Sequence, residues 1–164
     1  MNKNSGRKST KGLVMASMFA ALTCVATMVI KVPSPLHGYV NIGDSVVLLA
    51  GWLLPPSYAF MASGIGSAMA DVFGGYVLYA PATFVIKGLM AVIAHKMVKK
   101  AKIIGGFVAE AVMVAGYLLF ESLIYGFAPS LANIPANCVQ GVICLCIALF
   151  MAYFTDKNPD SFRF

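Results

Sequence analysis

Residues 79–94, YAPATFVIKGLMAVIA, are apolar from end to end except for Lys87. An ammonium group at the centre of an apolar helix costs roughly 2.5–3.5 kcal/mol on insertion scales, so it needs a counter-ion, a wet cavity or a ligand. Asp44, Asp71 and Glu121 lie in neighbouring apolar segments toward one end of the bundle, and Glu110 is expected in the opposite, inner half. Around Lys87 the polar and aromatic residues recur at helical spacing. Tyr79, Thr83 and Lys87 are four apart, as are Tyr117, Glu121 and Tyr125; Asn133, Asn137, Gln140 and Gly141 form a third set. Residues four apart share one face of a helix. Three helices therefore each present one polar-aromatic stripe, and apolar walls carrying a few polar groups are the chemistry of small-molecule binding.

Catalysis has no comparable support. There is no HExxH or GxSxG pattern, and neither His37 nor His95 lies deep in an apolar run. Cys24, Cys138, Cys144 and Cys146 all fall inside apolar runs and read as small buried hydrophobes. Cys144 and Cys146 are two apart, on different sides of a helix, and cannot pinch a metal together. The chain is read as a non-enzyme with no cofactor and no metal.

Several residues carry two readings. Lys87 can pair with Asp71 or Glu121 to hold the bundle, line a ligand cavity, or do both. Asp44 can cap a helix or face the ligand. Tyr79 and Tyr125 suit either a pocket or the aromatic belt at a membrane interface. Trp52 is expected in that belt, Glu110 in a structural role, and the two histidines facing solvent.

The elements that position these residues follow from composition. The 164 residues are 60% hydrophobic and 11% charged, with mean hydropathy +0.83, which places the chain in the membrane class. The net charge of +6 does not point to nucleic acid, because ten of the twelve Lys and Arg sit in three clusters outside the apolar runs. These are Lys3, Arg7, Lys8 and Lys11; Lys96, Lys99, Lys100 and Lys102; and Lys157 with Arg163. Such clusters read as cytoplasmic flanks. The first apolar run is too long for a cleaved signal and reads as a retained span.

Residues 12–32, 81–98, 103–127 and 133–154 each suffice for a crossing. Residues 42–78 are too long for one span and are broken at Pro55-Pro56, where proline removes a donor and stops a helix. Five spans would set the Lys96–Lys102 cluster opposite the N-terminal tail, whereas six put all three clusters on one side. Charge selects six, at about 12–32, 44–54, 57–74, 80–98, 103–127 and 133–154. The expectation is an all-α integral membrane protein in the cell (plasma) membrane, in contact with lipid, with six transmembrane helices and both termini cytoplasmic. It is read as one membrane domain over 1–164: a basic tail 1–11, the bundle 12–154 and a tail 155–164. The turn-rich segment VPSPLHGYVNIGD (32–44), with Asn41 and Asp44, then lies outside, and the three stripes open outward above it. Ala16-x-x-x-Ala20 and Ala62-x-x-x-Gly66-x-x-x-Ala70 are small-residue ridges that allow close helix approach. The second is expected to pack internally, the first to serve another subunit.

The blocks GYVNIGDSVVLLAGWLLPP and GIGSAMADVFGGYVLYAPATFVIKGLMA resemble the substrate-binding S components of energy-coupling factor (ECF) vitamin transporters. The nearest branch holds riboflavin-, hydroxymethylpyrimidine- and pyridoxine-type members, and the likeness covers most of 12–154. It implies a six-helix subunit that binds a vitamin from outside, in a cavity of helices 4–6 and the outer loops, with the first loop as lid. Docking through helix 1, at Ala16 and Ala20, onto an ECF transmembrane scaffold carrying two ATPase subunits is also implied. The expected substrate is a small heteroaromatic B-type vitamin or precursor of the pyridoxine, hydroxymethylpyrimidine, thiamine or riboflavin class. The competing reading is a small self-sufficient secondary transporter working as a homo-oligomer.

Overall fold

The computed structural model of the chain describes residues 3–34 and 39–157; His37 and the tail from residue 158 lie outside them. The elements run α1 (Lys3–Val29), β1 (Lys31–Pro33), β2 (Tyr39–Asn41), α2 (Gly43–Leu53), α3 (Pro56–Phe73), α4 (Ala80–Tyr125), α5 (Phe127–Ser130), a 3-10 turn (Leu131–Asn133) and α6 (Ile134–Lys157). Inside α4 the backbone leaves the helix at Ala101, with φ −161° and ψ 77°. That break divides a first arm, Ala80–Lys99, from a second, Ala101–Tyr125. With the arms taken separately and the single turn of α5 set aside, the bundle has the six helices expected from the sequence.

Among the described residues four segments are long and apolar enough to cross a membrane: Thr10–Val29, the two arms of α4, and Phe127–Lys157. Helix α2 is different. Its 11 residues rise about 16 Å, half the hydrocarbon thickness. It is buried from Gly43 to Trp52, as befits a helix apolar on every side. Leu54 and Pro55 are extended, and Pro56 restarts the chain at the first position of α3, where its missing N–H costs nothing. A Cβ on Gly51 would overlap the Ala91 carbonyl, so glycine is what lets α2 lie flat against the first arm of α4.

Lys102 Nζ meets Asp156 at 2.7 and 3.0 Å, which brings the start of the second arm and the end of α6 together. This is the kink end of the bundle. At the opposite end β1 and β2 form an antiparallel hairpin with Lys31 opposite Asn41, Val32 opposite Val40 and Pro33 opposite Tyr39.

The structure corrects several expectations. α1 ends at Val29, not 32, because Lys31–Pro33 pairs as a strand. Trp52 is 9% exposed and packed in the core, not in an interfacial belt, with Lys102 Nζ 5.5 Å from its ring. His95 is half-buried and its Nδ1 lies 3.1 Å from the Gly51 carbonyl oxygen. Of the cysteines only Cys144 is buried; Cys138 and Cys146 are exposed on the outside of the bundle, where the apolar runs meet lipid. Finally, Ala16 is 7% exposed and part of the core, and Ala20 is half-buried. A Cβ on Gly66 would overlap the Ala20 carbonyl. The ridge on α1 therefore closes on α3 within the bundle and does not form the open groove expected of it.

Candidate functional site

The site is built on a buried polar network at the hairpin end. Lys87, on the first arm of α4, donates to Asp44 Oδ1 at 2.5 Å, and both side chains are almost fully buried. Gln140 of α6 donates its amide to Asp44 Oδ2 at 2.6 Å. The other end of Gln140 accepts the Asn41 backbone N–H at 2.7 Å. Asn41 Oδ1 in turn accepts the Gly43 N–H at 2.8 Å. It is Asn41, not Asp44, that serves the start of α2, and the capping role considered for Asp44 is set aside. The Lys87 partner is likewise neither Asp71 nor Glu121. An ion pair in low dielectric is tolerable only when its remaining valences are met; here both Asp44 oxygens are taken, by donors from two other helices.

Above this network lies the pocket. Its enclosed space is only about 30 Å³, about the room of one water molecule, so the side chains that line it must part to admit a ring. The crevice between its side chains is narrow. Its walls come from every long element. Tyr79, Thr83 and Lys87 line one side, Tyr117 and Glu121 another, and Asn137 and Gln140 a third. Thr83 and Tyr117 share a hydrogen bond of 3.0 Å, and Lys87 Nζ sits 5.3 Å from the Tyr117 ring centre. Glu121 Oε1 accepts from Asn133 Nδ2 at 2.7 Å and from the Tyr79 hydroxyl at 3.4 Å.

The three stripes expected from the sequence thus converge, with distinctions. Asp44 does not line the pocket; it stands behind Lys87, fully buried. Asn133 also acts from behind, on Glu121. Tyr125 is half-buried outside the lining and bonds Tyr79. Glu110 is buried near the Lys87–Asp44 pair, close to Gly141, and neither of its oxygens has a partner among the described residues.

The structure adds residues that the sequence reading passed over: Thr27, Ser34, Tyr39, Ser67, Asp71 as a wall residue, and Tyr76. The hairpin covers one side of the pocket through Tyr39 and Asn41. Tyr39 donates its hydroxyl to Asp71 Oδ1 at 2.5 Å, across from β2 to the end of α3. Its ring stacks at 4.7 Å on Tyr76, and Lys31 Nζ lies 4.5 Å from the Tyr39 ring centre. Burial and the adjacent Asp71 carboxylate push the Tyr39 phenol above its ordinary value, so it stays protonated and a donor.

A six-helix membrane bundle with a polar, aromatic-walled pocket covered on one side by a hairpin is a substrate-binding membrane protein. The sequence comparisons give the kind. The family profile described as "ECF-type riboflavin transporter, S component" matches residues 7–155. The chain belongs to that family: it is an S component, a non-enzymatic transport subunit and a multi-pass membrane protein. A Pyrococcus woesei protein, named only as an uncharacterized protein in a gap 3′ region, is 34% identical over 140 residues, 82% of this chain and 94% of that one. The thiamine precursor transporter HmpT of Lactococcus lactis subsp. cremoris is 24% identical over 153 residues, 92% of this chain and 91% of its own. A solved S component of a bacterial ECF transporter superposes with a TM-score of 0.75 at 21% identity, covering 91% of this chain and 97% of that one, which establishes the fold.

Proposed function

We propose that this chain captures a small heteroaromatic B-type vitamin or vitamin precursor from outside the cell and delivers it by docking on an energising module of one transmembrane scaffold and two ATPases. The observation that carries the binding half is the pocket itself. Lys87 is held in place by Asp44 and Gln140, while Tyr79, Thr83, Tyr117 and Glu121 surround the space above it. A rigid floor and aromatic walls suit a flat ring, and fixing the polar groups beforehand lowers the ordering cost of binding. The riboflavin family profile and the HmpT relative both fall in that ligand class.

Orientation rests on charge. Lys11, Lys96, Lys99, Lys102 and Lys157 belong with the kink end, which makes that end cytoplasmic under the positive-inside rule and turns the hairpin outward. Docking is assigned to the outward face of α1. Ala16 and Ala20 face inward, and on the other side of α1 Met18, Leu22 and Val25 form an apolar groove with Leu49, Leu53 and Phe154.

The test has two parts. Purified chain, screened against B-type vitamins and their precursors, should be stabilised by one of them, because a ligand present at 100 times its Kd raises stability by about 2.7 kcal/mol. Vesicles should then take up that compound only when the scaffold, the ATPases and ATP are present. Uptake by the chain alone would replace this reading with a self-sufficient transporter.

A further inference from the structure

The pocket also constrains the charge of what it holds. Glu121 is 2% exposed and lines the pocket; its Oε1 carries both Asn133 and Tyr79, and its Oε2 has no partner among the described residues. On another wall Asp71 is 4% exposed, with Oδ1 on Tyr39 and Oδ2 unpartnered. Thr83 stands beside Asp71, with one hydroxyl proton to divide between Asp71 and Tyr117. The firmer demand is therefore at Glu121. A buried acceptor left empty is costly, so each free oxygen is a place where a ligand donor is favoured.

Among the residues lining the pocket Lys87 is the one cation, and its charge is already answered by Asp44. A second ammonium, Lys31, stands at the hairpin rim, 4.5 Å from the Tyr39 ring centre and near Asp71. The carboxyl groups in and behind the pocket (Asp44, Asp71, Glu121 and the nearby Glu110) outnumber these two ammonium groups, which leaves no net positive charge for an anionic ligand. Lys87 retains protons to offer a ring nitrogen or hydroxyl oxygen, but not an unbalanced charge.

Building on the proposed vitamin-binding role, we infer that the pocket selects an uncharged or cationic ring bearing hydrogen-bond donors, received by Glu121 Oε2 and Asp71 Oδ2, and that it rejects phosphate esters of the same ring. The discrimination arises because like charges brought together in a desolvated site repel strongly. Specificity built on buried acceptors is also steep, since a ligand without the matching donor leaves them unpaired.

The test uses the full chain in detergent with three matched pairs: hydroxymethylpyrimidine, pyridoxine and riboflavin, each beside its phosphate ester. Whichever alcohol binds, its ester is expected to bind at least 100-fold more weakly. Glu121→Gln should weaken the alcohol at least tenfold and narrow the alcohol-to-ester ratio by a similar factor, because it removes one negative charge. A purely structural role for Glu121 would lower affinity without changing that ratio, and an unchanged ratio overturns the inference. So does an ester that binds as tightly as its alcohol; that comparison needs no variant and stands even if Glu121→Gln fails to fold. Tight alcohol binding with no discrimination overturns the charge rule and leaves the transport role intact. If none of the six compounds binds, the inference falls for these rings, while the transport role is judged by the wider vitamin screen.

Discussion

Lys87 does two jobs at once, and each predicts something different. It is half of an ion pair whose other half, Asp44, is fully buried. Lys87→Met leaves that carboxylate with only Gln140 as a donor, and stability should fall by about 3–5 kcal/mol in denaturant unfolding. Ligand affinity should fall at least tenfold. Adding Asp44→Leu removes the stranded charge, so the double variant should recover stability but not affinity; recovery of both would confine Lys87 to the scaffold. At the hairpin, Tyr39→Phe removes the bond to Asp71 and should speed ligand dissociation severalfold in stopped-flow measurements. With the folded phenol held above the unfolded value of about 10, the latch's stabilisation is whole below pH 10 and declines as pH rises past it. Dissociation should therefore be flat from pH 6 to 9, and a pH-dependent rate there that Tyr39→Phe abolishes would contradict this. Lys87 was legible in the sequence because a charge in an apolar run has to be explained. Its partner was not: Asp44 lies 43 residues away, at a helix start where a local role looks sufficient. Ser63, Ser67 and Asp71 do repeat at four-residue spacing on α3, but the small-residue ridge one position earlier drew the reading instead. Tyr39 starts a three-residue strand and Tyr76 lies between α3 and α4, both too short a context to show a period.

At the scale of elements, the α1–α3 contact decides what α1 can offer to others. Ala16 packs in the core and Ala20 lies against Gly66, so Ala16→Trp forces a large ring where there is no room. Overpacking of this kind costs about 1–3 kcal/mol. Ala16→Trp should lower the unfolding temperature and distort the pocket, which Thr27 of the same helix helps to line. Met18→Trp, two residues on and on the opposite, exposed face of α1, should leave both unchanged and impair only module-dependent uptake. If Ala16→Trp is silent in the isolated chain, the two helices are not in the contact described here. Four helices were readable from apolar length, and α2 from the Pro55-Pro56 break, because both signals are local. The hairpin was not. Three-residue strands carry too little alternation to register, and Pro33 argues against a strand except at an edge. The orientation of the α1 ridge was also hidden, since two alanines four apart mark a close contact without naming the partner.

For the whole molecule, the six-helix count came from charge, not hydropathy, and its orientation is open to direct test. In a background lacking the four native cysteines, Lys11→Cys, Lys99→Cys and Lys157→Cys should be labelled from the cytoplasmic side and Val32→Cys from the other. Opposite labelling of Lys11→Cys and Lys99→Cys would break the six-span topology.

The network at Asp44 also has a consequence in time. Its bonds join residues 43 and 96 positions apart, reaching from the second helix to the last. Helix α2 is too short to be inserted as a span of its own, and Asp44 meets Gln140 only after α6 has left the ribosome. Until then α2 rests on the earlier helices, with Asp44 held by Lys87 but lacking its second donor. Completion of the final helix is what closes the structure. Chains truncated within the loop before Ile134 should be degraded rapidly by membrane proteases, and Gln140→Leu should shorten the lifetime of full-length chains in a pulse-chase. The bond that completes Asp44 is thus also the last of the network that the growing chain can make.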